Sequence, residues 1–507
     1  MKIAIISLYD LENCAVRFLA SFLRRSGHDA LEVYFKDWKN NTMLWPTEQE
    51  LQLLCDRLRT FNPGAIGISL RASAYMDVCR LLALRLKAEL GVPIILGGIH
   101  PTLCPETVTE FSDYVVRGDG EDTLLELINK LERGEDANEV EGSWAVTEQG
   151  AVRENPLRCL LADLTRSSWR DWDHPHKLVI DGANVTHHDP LLVDPIYLTF
   201  ASRGCPYGCA FCYNSTLRKL MKGKGRYWRL RPVEDIMAEL ADARRSYPKM
   251  RRVRFDDEIF PIDPKWLDQF ISHYPREVGL PFECFLEPRA YEPERLDRLV
   301  KAGLDVVYLG VQANDRVARR LYDRPSEPDL ITRAAWHLNK LGVETRYLVM
   351  VDDPLSTEED RRAVFELLNA LPRPFRVYLF SMTVMPGTEL ERKLLDDGVI
   401  EPHQVEGRGA TKTFEQYRVS LDWDRPPDES FWVSMLVLVN KPWLPPKVLA
   451  AMADSSWLRQ NHRLLAHFAS LSNNVQMAGM VPSALLRGEI GWRVIRRFWN
   501  PGAWVTS

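Results

Sequence analysis

The chain has 507 residues, of which 45% are hydrophobic and 27% charged, with a formal net charge of −5. That length calls for more than one core-bearing domain; the composition excludes a disordered or fibrous chain, and the slightly acidic balance gives no reason to expect nucleic acid as a partner. No apolar run reaches the roughly 18–20 residues of a membrane span, the opening MKIAIISLYD reads as a strand and not a secretory signal, and nine scattered cysteines suit a reducing cytoplasm better than a disulfide framework.

In residues 1–135, five short apolar runs (KIAIIS, ALEVYF, AIGISL, PIILGG and DYVVRG) read as strands. Stretches such as AVRFLASFLRRSGH and EDTLLELINKLERG carry apolar residues at helical spacing between or after them. This alternation predicts a Rossmann-like parallel sheet covered by helices, with ligands at the carboxyl ends of its strands. Gly97 and Gly98 open one such strand exit to close backbone approach. Ser69, Ser73 and Thr102 place hydroxyls on the exit loops, and a Gly-rich turn at Gly118 leads into a helix starting near Glu121. Residues 136–195 break the pattern. A small hairpin around a QG turn and a stretch rich in Pro, Asp and His are expected to form a linker.

From residue 196 to 400 the alternation resumes. IYLTFA, RVRFDD, FECFLE, DVVYLG, ETRYLVM and FRVYLF read as six strands, each followed by helical spacing, which predicts a partial (β/α)6 barrel. The first of these strands runs into SRGCPYGCAFCYN, where Cys205, Cys209 and Cys212 have the spacing C-x3-C-x2-C. Three thiolates so spaced can hold three irons of a [4Fe–4S] cube and leave the fourth iron open for a ligand. Structural zinc is the alternative, but it wants four closed ligands, and only His187 or His188, folding back, would supply the fourth.

This loop resembles that of the radical SAM enzymes, and the resemblance covers the segment from about Ile196 to Ile400. It implies that S-adenosylmethionine binds the open iron and is cleaved reductively to a 5′-deoxyadenosyl radical. It also places Phe211 at the family's aromatic position beside the adenine. More loosely, FDDEIF resembles the family's acidic loop, making Asp256 and Asp257 candidates for the methionyl amine or ribose; solvated helix-capping acids are the equal alternative. Arg289 is a candidate for the methionyl carboxylate, or else a surface ion-pair partner. YLGVQAN resembles the fourth strand with Gln312 facing the ligand, although Ala313 stands where serine is common. In VMVDDPLSTEED, Asp352 and Asp353 replace the usual small residues. No catalytic residue is assigned.

The segments ILGGIHPTLCPE and DYVVRGDGEDTLLEL, before such a core, resemble a cobalamin-binding domain. That resemblance implies cobalamin contacts from Ser69, Leu70, Arg71, Ser73, Gly97, Gly98, His100, Thr102, Gly118 and Glu121. The D-x-H-x-x-G signature is absent, because Gly98 stands two residues before His100. Cobalt without a histidine below it is therefore expected, with Leu70 and Arg71 on the lower face. A scaffold domain that has lost the cofactor is the alternative.

Residues 401–507 read as a helical, substrate-shaping region in which Trp423, Trp432, Trp443, Trp457, Trp492, Trp499 and Trp504 are expected to pack cores. Its end, GWRVIRRFWNPGAW, mixes arginine with aromatics and allows peripheral membrane contact. The whole layout implies methylation of an unactivated carbon of a small molecule, with electrons from a flavodoxin- or ferredoxin-type donor. The anaerobic magnesium-protoporphyrin ester cyclase group, which the layout also resembles, implies oxidative ring formation instead. A cobalamin or Fe–S carrier is the non-enzymatic alternative. Cys14, Cys55, Cys79 and Cys104 form no second trio, against a tRNA methylthiotransferase. Oligomeric state is not legible.

Overall fold

The computed structural model describes residues 1–37, 44–147, 149–167, 175–325, 328–405, 421, 425–486 and 495. The first unit interleaves β1 (Lys2–Leu8), α1 (Cys14–Arg25), β2 (Asp29–Phe35), α2 (Glu48–Phe61), β3 (Ala65–Ser69), α3 (Met76–Leu90), β4 (Ile94–Gly97), α4 (Ile99–Leu103), β5 (Tyr114–Val116) and α5 (Glu121–Arg133). The first two helices start where side chains satisfy their free N–H groups: Asn13 caps α1, and Thr47 with Glu50 forms a capping box on α2. Buried Ile, Val and Leu side chains pack on both faces of the sheet, as a doubly covered parallel sheet demands.

The segment expected as a linker joins this sheet. β6 (Ser143–Val146) and β7 (Val152–Glu154) extend one edge antiparallel to β5. β8 (Lys177–Asp181) pairs in parallel with β2, and β9 (Asn184–Thr186) closes the other edge. The strand order is β7-β6-β5-β4-β3-β1-β2-β8-β9. What fixes the returning chain is charge in the core: Asp189 accepts from Lys177 at 2.9 Å and pairs with Arg17 of α1, all three buried. No apolar periodicity announces such a contact.

The second unit is the expected one. β10 (Ile196–Thr199), β13 (Arg252–Phe255), β14 (Phe282–Leu286), β15 (Leu304–Gln312), β16 (Glu344–Val351) and β17 (Arg376–Ser381) pair in parallel in chain order. A two-stranded ribbon of β11 (Ser202–Arg203) and β12 (Arg229–Leu230) interrupts the first crossover and brackets α6 (Tyr213–Leu220). The other helices are α7 (Val233–Ser246), α8 (Pro264–Glu277), α9 (Pro293–Ala302), α10 (Asp315–Arg320), α11 (Pro328–Lys340), α12 (Glu358–Ala370) and α13 (Glu389–Asp396).

Beyond them, α14 (Pro427–Leu438), α15 (Pro446–Ala453), α16 (Ser456–Gln460) and α17 (His462–Leu486) complete the helical region. α14 carries the buried Phe431 and Trp432 into the barrel's main core. Of the tryptophans expected to pack cores, Trp432 does so, whereas Trp443 and Trp457 are exposed. Trp423, Trp492, Trp499 and Trp504 lie outside the described residues, as does nearly all of GWRVIRRFWNPGAW.

Candidate functional site

The three cysteines leave the end of β10 on a loop held at several points. Ala210 N–H donates to the Tyr322 carbonyl at 2.8 Å, and its own carbonyl accepts from Leu390 N–H at 3.0 Å. Gly204 is required on steric grounds: its φ is +83°, and a Cβ there would lie 2.5 Å from the Tyr227 carbonyl oxygen. At the loop's start, Asp257 accepts from Ala201 N–H at 3.1 and 3.0 Å and from Ser202 Oγ at 2.5 Å.

The thiols lie within electrostatic reach of one another. Burial pushes Cys205 up to about 12, with Glu258 and Cys209 adding to it. Burial likewise raises Cys212. Cys209 is raised less, because Arg324 and Arg289 oppose its burial. A metal–sulfur cluster would take these sulfurs as thiolates, and the two guanidiniums favour that form. Among the described residues no three His, Cys, Asp or Glu side chains are grouped to hold a single metal ion. A structural zinc site takes four closed ligands, whereas three thiols with the fourth position open suit a four-iron cube.

Around the loop the structure assembles most of the expected neighbours. Phe211 packs edge-on to Tyr322 at 5.1 Å, in an apolar patch with Met350 and Leu355. Arg289 donates through Nε to Glu287 at 2.8 Å and lies 4.2 Å from the Tyr207 ring centroid. Its Nη2 is buried without a hydrogen-bond partner, a donor suited to a carboxylate. Gln312 ends β15 at a register shift with φ of +65°, a strained backbone of the kind that clusters at ligand sites.

Of the two adjacent acids, Asp256 lies 3.3 Å from Arg254 Nε, whereas Asp257 turns inward to the loop anchor just described. Asp257 is therefore a positioning group and not a helix cap; α8 is capped by Asp263. Burial pushes Asp257 up to about 7. The folded chain then holds a proton between about pH 4 and 7 that the unfolded chain releases, so this group's contribution to stability is largest below pH 4 and is lost as pH rises toward 7. Asp257→Asn is expected to flatten the melting-temperature profile between pH 5 and 7; an unchanged slope refutes the assignment.

Asp352 and Asp353 serve the fold. Asp352 has φ of +60°, the left-handed conformation that makes glycine common at such a turn. Its carboxylate is fixed by Arg425 at 2.6 Å and Ser381 at 2.5 Å. Asp353 accepts from Tyr322 Oη at 2.9 Å and Leu355 N–H at 2.9 Å.

In the first unit, the exits of β1, β3, β4 and β5 face the barrel. Gly98 is exposed with φ of +115°, and a Cβ there would lie 2.6 Å from the Leu70 carbonyl oxygen. Close approach between two strand exits, and not only to a ligand, thus demands glycine. Leu70 is fully buried, whereas the Arg71 side chain is 39% exposed and lies 3.3 Å from Asp10.

Several expected ligand groups have protein partners instead. His100 Nδ1 is 2.7 Å from Ser73 Oγ and its Nε2 is 2.8 Å from Thr107 Oγ1. Thr102 donates to the Gly98 carbonyl at 2.7 Å and accepts from Gly118 N–H at 3.1 Å. Ser69 Oγ accepts weakly from Asn13 at 3.4 Å. These residues shape the exits around Gly97 and Gly98. Glu121 departs furthest from expectation: it is buried and accepts from Arg203 of β11 at 2.6 Å and from Ser167.

The carboxyl ends of the two sheets therefore meet across one cleft. Besides Arg203–Glu121, Arg254 of β13 reaches Glu12 beyond β1 at 3.4 Å, and Arg229 pairs with Asp119. A Cβ on Gly118 would lie 2.7 Å from Met221 Cε. Sequence reasoning missed Glu258, which accepts from Tyr213 Oη at 2.5 Å. Its side chain is open to the cleft, yet the protein packed around it raises its pKa by desolvation, while Tyr213, Asn214 and the charge of Arg71 oppose the rise. It stands beside Asp257 in the acidic loop, so the signal was present. Arg324, which lies 3.4 Å from Glu287 beside Cys209, had none.

Comparisons with known proteins agree with this layout. A B12 binding domain family model matches residues 2–128, and the Radical SAM superfamily model matches residues 200–368. An uncharacterized methyltransferase of Pyrococcus horikoshii is 25% identical over 66% of this chain and 70% of its own length. The anaerobic magnesium-protoporphyrin IX monomethyl ester cyclase of Rubrivivax gelatinosus is 24% identical over 97% of this chain and 74% of its own. The hopanoid C-3 methylase of Methylococcus capsulatus is 25% identical over 75% and 68%.

Among solved structures, the cobalamin-dependent S-adenosylmethionine radical enzyme OxsB superposes with a TM-score of 0.65 at 17% identity, covering 96% of this chain and 81% of that one. The methyltransferase TsrM from Kitasatospora setae gives 0.61 at 14%, covering 93% and 99%. Both show the same fold. With the three-thiol loop and the facing strand exits, the chain joins a domain of the B12 binding family to a domain of the Radical SAM superfamily.

Proposed function

We propose that the protein methylates an unactivated carbon of a small molecule in the cleft between its two sheets. The observation that carries this reading is the meeting of the two strand-exit edges, with the cysteine loop on one side and Arg71, Gly97 and Gly98 on the other. When bound, a [4Fe–4S] cluster supplies the electron that cleaves S-adenosylmethionine, and cobalamin supplies a carrier for a methyl group.

Cys205, Cys209 and Cys212 would hold the cluster. Arg289 would offer its buried Nη2 to the methionyl carboxylate, Gln312 would face the same ligand from its strained strand end, and Phe211, now against Tyr322, would pack on adenine. Asp256 remains a candidate for the methionyl amine or ribose. Gly97, Gly98, Arg71 and the backbone of the buried Leu70 would line the lower side of the corrin. No histidine ligates there in this reading, because both ring nitrogens of His100 are engaged by hydroxyls. The clamped loop and the ion pairs across the cleft orient the reactants and keep water out. The remaining proposed partner is a small flavodoxin- or ferredoxin-type protein as electron donor, and cytoplasmic placement goes with it.

Oxidative cyclisation is the second reading, favoured by the cyclase relative that aligns with 97% of this chain. Anaerobic incubation of reconstituted protein with candidate substrates and methyl-labelled S-adenosylmethionine separates the two. Methylation gives a product heavier by one methylene that carries the label. An unlabelled product that has lost hydrogen or gained oxygen overturns it in favour of the cyclase type.

A further inference from the structure

From Ser455 to Leu486 the sequence contains no Asp or Glu, and its formal charges are Arg459 and Arg463. Within α17, Leu464, Phe468, Leu471 and Val475 recur at alternating spacings of four and three, which puts them on one face. That face is the outer one. The four side chains are 56, 43, 63 and 57% exposed, and Leu486 at the helix end is 89% exposed. The opposite face, with Leu465, Ala466, Ala469 and Ser472, is buried, where α17 packs on α14.

An apolar stripe of this length on the outside of a helix is not needed for folding, because the helix already has a buried face. Its surroundings indicate what covers it. Arg463 and His467 are exposed along one flank, and no acidic side chain interrupts the stripe. Arg459 is engaged elsewhere, with Glu358 and over the Phe431 ring. Trp457, 58% exposed on α16, precedes the stripe. Further along the sequence, Arg487, Arg493, Arg496 and Arg497 stand against the lone acid Glu489. The positive charge of this end contrasts with the chain's net −5.

A stable dimer buries about 800 Å² on each partner, more than one stripe of five partly exposed side chains offers. An interfacial helix needs less. A row of Leu, Phe and Val entering the boundary between headgroups and acyl chains, flanked by arginine and aromatic rings, binds by the apolar area it buries and by attraction to anionic lipid. Among the described residues no helix is long and apolar enough to cross a membrane.

We propose that the outer face of α17 docks the protein on an anionic membrane surface through Leu464, Phe468, Leu471 and Val475, with Arg463 on the headgroups. This inference is independent of the reaction in the cleft.

The test is co-sedimentation of the full-length, cofactor-loaded protein with phosphatidylglycerol–phosphatidylcholine vesicles and with phosphatidylcholine vesicles alone. Binding to the anionic vesicles is expected to weaken with salt and to fall at least about tenfold in the double variant Leu464→Glu, Leu471→Glu. Both positions are exposed, so the variant's melting temperature and molar mass in solution should match the parent's. Arg463→Glu is expected to weaken binding to the anionic vesicles only. Absence of binding to anionic vesicles overturns the proposal. So does binding that neither variant alters, which places the contact on another segment. A lipid-free dimer that the double variant dissolves also overturns it, in favour of a second copy as the occupant.

Discussion

Cys209→Ala is expected to reduce reductive release of 5′-deoxyadenosine from S-adenosylmethionine to background, with loss of bound iron and sulfide after anaerobic reconstitution. A cube held by two thiolates lacks the anchor that keeps a single corner open, so the loss should not be graded. Two comparisons give the result its meaning. Cys159 is exposed and outside the loop, and Cys159→Ala should leave release unchanged. Asn214 lies 3.8 Å from Cys212 Sγ and accepts from Tyr227 Oη at 2.7 Å, a supporting position, so Asn214→Ala should lower cluster retention by about 10–100-fold. Release that persists in Cys209→Ala removes the cluster assignment, and zinc retained in its place would restore the single-ion reading.

The sequence showed the architecture where one physical signal dominates and fell short where two compete. All eleven expected strands are present, because apolar runs between turns suit a parallel strand covered on both faces; the shortest of them, from DYVVRG, is Tyr114–Val116. The cysteine trio was legible because sulfur chemistry fixes the spacing. The stretch 136–195 misled because its strands are short and edge-bound, and because the Arg17–Asp189–Lys177 cluster that seats it joins residues far apart in the chain.

The cofactor edge was half legible. Gly98 was found for a reason that proved incomplete, since the Leu70 carbonyl also forbids a side chain there. His100, Ser73 and Thr102 were correctly placed at the strand exits, but pattern alone does not say whether a hydroxyl or imidazole faces outward or bonds to its neighbour. Glu258 shows the converse error. In an acidic run, the residue at the cleft is chosen by the direction of the backbone after β13, and this turned Asp257 inward and left Glu258 against Tyr213.

The largest stability effect is expected at the joint between the two sheets. Glu121 is 3% exposed, and its burial alone would keep it neutral. The charge and hydrogen bond of Arg203, with the hydroxyl of Ser167, outweigh that burial and hold the carboxyl down at about 2. Removing the guanidinium strands a buried negative charge, and Arg203→Ala should cost about 3 kcal/mol or more. Because the folded pKa lies below the ordinary glutamate value, the parent's stability from this group is present above about pH 4.5 and is lost as pH falls toward 2. In Arg203→Ala that acid-dependent loss should vanish. The double variant Arg203→Ala, Glu121→Gln should recover most of the deficit, since no charge is then left unpaired. A direct cofactor role for Glu121 makes a different forecast: Glu121→Gln alone would weaken cobalamin retention while Arg203→Ala spared it. In the structural reading both single variants loosen the cleft, and retention falls in step with stability. Measuring melting temperature and bound cobalamin across the four members of the cycle decides between a ligand and a strut that joins the two strand-exit edges.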